Sequence, residues 1–115
     1  MEKLLPKELF DKAREAAAKA ATAYDATLPP ERTRGLDCGF AWVTIKPARG
    51  AFVQWCKANE IGRTKDYGGG GFDIWYSKLH DVATQSIGTH IAAVRAFADV
   101  LKAHGVNATT GSRYD

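Results

Sequence analysis

Two cysteines and three histidines are the side chains of this sequence with the most evident capacity for chemistry. Cys38 precedes a predicted strand, and Cys56 stands beside Trp55 in a segment of helical spacing. A nucleophilic cysteine needs a nearby base and a lowered pKa, and no local signature supplies either one. We therefore predict that Cys56 packs in the core as a small apolar side chain, whereas Cys38 is the candidate for a reactive thiol.

The histidines, His80, His90 and His104, lie too far apart in the chain for a local metal-binding motif. His104 falls near the end of a predicted helix, where a cationic imidazole interacts favourably with the helix dipole. The sequence therefore favours surface or capping roles for the histidines, and it indicates no metal and no cofactor. His80 and His90 could act as bases, so an enzyme that uses Cys38 or a histidine is a third hypothesis.

Four consecutive glycines occupy positions 68–71. A phosphate-binding P-loop needs a glycine frame followed by Lys-Ser/Thr and a helix, so that backbone amides face the phosphate. Here the glycines precede a predicted strand. They are therefore predicted to form a flexible turn or loop.

Hydrophobic periodicity divides the chain into an N-terminal helix over 6–26, a Pro-rich linker over 27–35 and an α+β core over 36–115. Gly62 is the expected C′ residue of the first core helix, and Thr89 the expected cap of the second. The predicted core elements are strands over 40–46, 72–77, 82–88 and 106–113, and helices over 48–60 and 90–104. Their order, β-α-β-β-α-β, is the split-βαβ arrangement of ferredoxin-like domains.

Composition places the chain among ordinary globular domains: 115 residues, 45% hydrophobic, 25% charged, with a formal net charge of +3. No apolar run approaches the roughly 18 residues of a membrane span, and residues 1–7 lack the apolar core of a secretory signal. Two cysteines make no disulfide framework. We expect a cytoplasmic protein with reduced thiols and no membrane association.

Aromatic residues are the most informative feature of the predicted sheet. Phe40 and Trp42 share one face of the first strand, and Trp75 joins them if Phe72 and Ile74 point into the core. Rings on a sheet can stack nucleic-acid bases or anchor a protein interface. The remaining alternative is that the N-terminal helix covers them. Lys46 and Arg49 are predicted at the rim of this surface.

One resemblance rests on the segments GLDCGFAWV (35–43), PARG (47–50) and the ending GSRYD (111–115). They resemble small uncharacterised proteins of bacteriophages and prophages. The resemblance carries over no activity and no catalytic residue. It implies a viral protein that acts on a host component during infection.

The first hypothesis is a protein-interaction module, a phage-encoded modulator or inhibitor that blocks a host protein sterically through Phe40, Trp42 and Trp75. The second is a nucleic-acid or nucleotide binder that uses the same rings. Dispersed cations and the absence of an RNP pattern favour the first over the second. The lack of a catalytic constellation places an enzyme last.

Overall fold

Three α-helices and a four-stranded sheet make up the part of the chain that the computed structural model describes, residues 4–28, 38–65, 70–82 and 86–114. The predicted α+β class is confirmed. A short 3-10 helix, Tyr76–Lys78, follows the third strand. The elements are α1 (Pro6–Asp25), β1 (Gly39–Ile45), α2 (Ala51–Ala58), β2 (Arg63–Thr64), β3 (Phe72–Trp75), α3 (Ile87–Ala103) and β4 (Ala108–Tyr114).

The sheet has the strand order β2-β3-β1-β4, and every neighbouring pair is antiparallel. Alternation along β1 turns Val43 and Ile45 to one face, and their partners across β3, Ile74 and Phe72, lie on that same face. These side chains are buried with Phe97 of α3 and the rest of the apolar cluster. One face of the sheet is therefore the floor of the core.

Helix α1 packs along α3 on the core side of the sheet. Pro6 occupies its first turn, and the Glu8 carboxylate accepts a hydrogen bond from the Leu5 N–H at 2.9 Å. Phe10 contacts Phe97 of α3 and Trp55 of α2, with ring centroids 5.6 and 5.3 Å apart. The predicted helix is confirmed, and its buried face belongs to the main core.

A stripe of alanines lets α1 approach α3 closely: Ala13, Ala17 and Ala21 are fully buried. The proposed boundary at residue 35 stays a prediction, and most of the predicted linker lies outside the described residues. The contacts of α1 with α2 and α3 mean that it lies on the core side of the sheet. It does not cover the aromatic side chains of the opposite face.

Helix α2 ends earlier than its pattern predicts, and Gly62 is not its C′ residue. The Glu60 and Ile61 N–H groups donate to the carbonyls of Lys57 and Cys56, so Glu60 occupies the C′ position with a φ of 58°. Gly62 serves another purpose. A Cβ there would lie 2.5 Å from the Asp73 carbonyl oxygen, so the glycine lets this loop lie directly against β3.

The predicted strand over 82–88 is wrong at its C-terminal end, and its residues 83–85 lie outside the described residues. Ser86 forms an isolated bridge with Cys38, and α3 already begins at Ile87. Ser86, rather than Thr89, caps the helix, because its Oγ accepts a hydrogen bond from the Thr89 N–H at 3.3 Å. The fourth strand of the sheet is instead β2, two residues between the predicted helix over 48–60 and the predicted strand over 72–77.

Two of the four consecutive glycines, Gly70 and Gly71, fall within the described residues. Both have positive φ, 75° and 110°, and they lead directly into β3 as predicted. Of the helices in the described ranges, none is both long and apolar enough to cross a membrane.

Candidate aromatic binding surface

Three aromatic side chains lie together on the sheet face that the helices leave uncovered. Phe40 and Trp42 come from β1, and Trp75, which lies directly opposite Trp42, comes from β3. Because Phe72 and Ile74 point into the core, alternation directs Trp75 to the other face. Each of the three rings is partly exposed. We refer to Phe40, Trp42 and Trp75 together as the aromatic face.

The rings of the aromatic face contact one another. Trp42 and Trp75 have centroids 5.4 Å apart and planes inclined by 36°, and Phe40 meets Trp75 edge-on at 5.8 Å. These are favourable separations and orientations for aromatic pairs. Since both partners of each contact are held by paired central strands, the rings form a fixed surface.

Strand β4 contributes two features to the site. Gly111 lies directly across from Trp42, and a Cβ at this position would fall 2.6 Å from atoms of the indole. Arg113 lies across from Phe40, with its guanidinium carbon 5.7 Å from the ring centroid. Trp42 therefore extends over the backbone of β4, and a cation adjoins Phe40.

A buried polar cluster adjoins the aromatic rings on the same face. The Thr44 hydroxyl donates to Asp73 Oδ1 at 2.6 Å, and Lys65 Nζ lies 3.4 Å from the same oxygen. Thr44 and Asp73 are each 6% exposed. The Asp73 charge is thus matched by a lysine and a hydroxyl, as a buried carboxylate requires.

The two cations predicted at the rim differ in their placement. A Cβ placed at Gly71 would contact both the Thr44 and the Lys46 side chains, so these two side chains lie close together. Lys46 is exposed. Arg49 is exposed in the segment between β1 and α2, where its N–H donates to the Pro47 carbonyl. The described contacts connect Lys46, but not Arg49, with this face.

A shallow concavity of about 420 Å³ lies at the β2–β3 edge of the aromatic face. Trp75 forms one part of its lining. Cationic side chains of β2 and of the 3-10 helix form other parts. The described residues of the lining are Glu60, Gly62, Arg63, Trp75, Ser77 and Lys78.

His80 and His90 form a buried pair rather than the surface residues that the sequence predicts. His80 Nε2 lies 3.0 Å from His90 Nδ1, and the Val82 N–H donates to His80 Nδ1 at 3.0 Å. Tyr76 stacks on the His90 ring with centroids 3.7 Å apart. His104, by contrast, occupies the C-cap position of α3, at the helix end where the sequence places it, and its Nε2 lies 3.2 Å from Lys12 Nζ.

The hydrogen bonds fix which nitrogens of the neutral pair carry protons. Because His80 Nδ1 accepts from a backbone N–H, its proton resides on Nε2, which donates to His90 Nδ1. His90 then carries its proton on Nε2, which has no hydrogen-bond partner among the described residues. Burial lowers the pKa of His90 to about 4 and also lowers that of His80, so both are neutral at pH 7.

Cys38 and Cys56 are both thiols. Cys56 is fully buried on α2, which confirms its predicted packing role, and burial raises its pKa to about 12. Cys38 is partly exposed and bridges Ser86 through the backbone. The described ranges contain no group of three or more His, Cys, Asp or Glu side chains positioned to hold a metal ion.

The sequence analysis did not identify the roles of Gly111 and Asp73 beside the aromatic face. Gly111 is a glycine inside a strand, which often marks a close approach by another group, and this signal could have identified it. No local signal indicates that Asp73 is buried with Thr44, because that contact depends on the β1–β3 register.

Comparisons with protein-family models, curated proteins and solved structures find no match to this chain.

Proposed function

We propose that this protein binds single-stranded nucleic acid by stacking bases on the aromatic face. The observation that carries the proposal is the presence of three partly exposed rings on the two central strands, β1 and β3, on the side away from the helices. Single-stranded nucleic acids are commonly bound by sheets whose aromatic side chains stack successive bases.

The proposal includes a ferredoxin-like assignment of the fold. In chain order β1 and β2 are joined through α2, and β3 lies between them in the sheet. This is the relationship that a split βαβ unit requires. Here β2 is the short strand Arg63–Thr64 and not the segment 82–88 on which the sequence-based assignment relied.

The charges around the aromatic face support a polyanionic ligand. Asp73, a carboxylate on this face of the sheet, is buried and matched by Lys65 and Thr44. The exposed cations on or beside this face are Lys46, Arg63, Lys78 and Arg113. Among the described residues on or beside this face they outnumber the Glu60 carboxylate, which favours the phosphates of a stacked strand.

A protein partner is the second candidate, and it includes the hypothesis of a phage-encoded modulator of a host protein. The observation that favours it is the closed packing of the rings, since Phe40 and Trp42 both contact Trp75. An aromatic centre with a charged rim also fits the anatomy of a protein interface.

The experiment is a titration of fluorescein-labelled single-stranded DNA and RNA, followed by anisotropy, with Trp42→Ala and a control. We expect Trp42→Ala to weaken binding by about 1–3 kcal/mol, the contribution of one stacked base. Trp55→Ala is the matched control, because Trp55 packs on Phe10 in the helical layer. That variant should lose stability but retain affinity.

Two results would reject the proposal. The first is the absence of saturable binding of the wild type to either nucleic acid. The second is binding that Trp42→Ala leaves unchanged while the variant remains folded. Salt provides a further distinction, because a nucleic-acid complex weakens steeply as salt rises whereas an aromatic-centred protein interface does not.

A further inference from the structure

We infer that the concavity beside Trp75 is a phosphate subsite, so that the bound strand leaves the aromatic face across β3 toward β2. The inference rests on the proposed function and specifies the path of the ligand. It assigns Arg63, Lys78 and Ser77 to the sugar–phosphate backbone of the nucleotide next to Trp75.

The position of the concavity sets this path. Trp75 both contacts the other rings of the aromatic face and lines the concavity. A base stacked on the exposed side of Trp75 would therefore have its adjoining phosphate within this depression. The concavity has a volume of about 420 Å³ and is open to solvent, so a strand could cross it without being enclosed.

The backbone of Gly62 lies directly against β3 at the concavity. A Cβ at Gly62 would lie 2.5 Å from the Asp73 carbonyl and 2.7 Å from the Phe72 ring, so no side chain can occupy this position without displacing β3. The residue also has a φ of 77°, which favours glycine. The loop after α2 is thus held against the sheet and contributes backbone rather than side-chain bulk to the lining.

The charges of the lining fit a phosphate. Arg63 and Lys78 are exposed, and the Ser77 hydroxyl adds a donor. Among the described residues of the lining, Glu60 is the carboxylate beside these two cations. Its charge opposes that of Arg63 and Lys78, so removing it tests the sign of the interaction with phosphate.

The test measures the affinity of labelled oligo(dT) at several salt concentrations for wild type, Arg63→Ala and Lys78→Ala. For single strands the salt slope falls by about 0.7 for each phosphate contact that is lost. We expect each variant to bind more weakly and to reduce the slope by about this amount. Glu60→Gln should bind more tightly, and Arg95→Ala, which removes an exposed cation of α3, should match the wild type.

Three outcomes would overturn the inference. If Trp42→Ala weakens binding but Arg63→Ala and Lys78→Ala keep the wild-type slope, the path is wrong while the proposed function stands. If the wild type binds no oligonucleotide, both fall together. If a mononucleotide displaces the oligonucleotide completely at concentrations near the oligonucleotide's own Kd, the concavity is an independent nucleotide site and not part of a strand path.

Discussion

Gly111 of β4 lies directly opposite Trp42 of β1, and the indole occupies the space that a side chain at position 111 would fill. The ring therefore extends across the backbone of β4 and keeps its outer side available. On its other side it contacts Trp75. The position of the central ring of the aromatic face thus depends on a glycine 69 residues later in the chain.

The first prediction concerns Gly111→Ala. Its Cβ would lie 2.6 Å from the Trp42 indole, so the ring must move. We expect a loss of about 1–3 kcal/mol in the free energy of unfolding, as for other overpacked sites, together with weaker oligonucleotide binding. Thr109→Ala, an exposed change on the same face of β4, is the control. Chemical denaturation measures the free energy of unfolding of both variants. Equal values would argue against the close approach of Gly111 to the Trp42 indole.

The second prediction is a loss of stability in mild acid from the buried histidine pair. Because burial lowers the folded-state pKa of His90 to about 4, below its ordinary 6.5, the unfolded chain binds protons more readily between these values. The free energy of unfolding is therefore fully retained above pH 6.5 and decreases as the pH falls toward 4, by about 2–3 kcal/mol. The Asp25 carboxylate opposes this shift and limits the effect.

Urea unfolding at several pH values checks the histidine prediction. His90→Gln removes one of the two titrating groups and should reduce the pH dependence between pH 6.5 and 4. A wild-type profile that does not change across this interval would contradict the burial of a neutral pair.

The third prediction tests the docking of α1. Ala17 is fully buried against the core, so Ala17→Leu should cost about 1–3 kcal/mol of stability through overpacking. Ala23→Leu makes the same change at an exposed position of the same helix and should cost little. Deletion of residues 1–26 should abolish cooperative thermal unfolding, because it exposes Phe97. A truncated chain that melts cooperatively would instead favour an independent core over 36–115.

The fourth prediction concerns the two thiols. Cys56 is fully buried and its pKa is raised to about 12, so little thiolate exists at pH 8. In a Cys38→Ser variant, we expect Cys56 to react with an aromatic disulfide reagent only at the rate at which unfolding exposes its thiol. Labelling at the rate of an exposed cysteine, without unfolding, would restore a reactive role for this residue.

Local patterns predicted the elements whose signals are strong. The alternation over 40–46 ended by Pro47 predicted β1, and the spacing from Leu9 to Tyr24 predicted α1. The predicted alternation of side chains along β1 and β3 agrees with the structure. The sequence therefore also predicted that Phe40, Trp42 and Trp75 share one face of the sheet. Whether these residues bind a partner stays a prediction.

Long-range register and helix ends could not be predicted. The segment 82–88 has only a weak alternation, and the serine cap at Ser86 begins α3 within it. The close approach of Gly111 to Trp42 depends on the β1–β4 register, and the burial of Asp73 depends on Lys65 and Thr44, which come from other segments. Local patterns also favoured surface positions for His80 and His90, since their burial arises only from tertiary packing.

Tryptophan fluorescence of a Trp55→Phe variant tests the stacking proposal most directly, since it removes the indole of the helical layer and leaves Trp42 and Trp75. On titration with oligo(dT) at low salt, we predict saturable quenching of the remaining emission, at the concentrations where anisotropy reports binding. Emission that stays unchanged while the oligonucleotide binds would contradict stacking on the aromatic face, and so would the absence of binding.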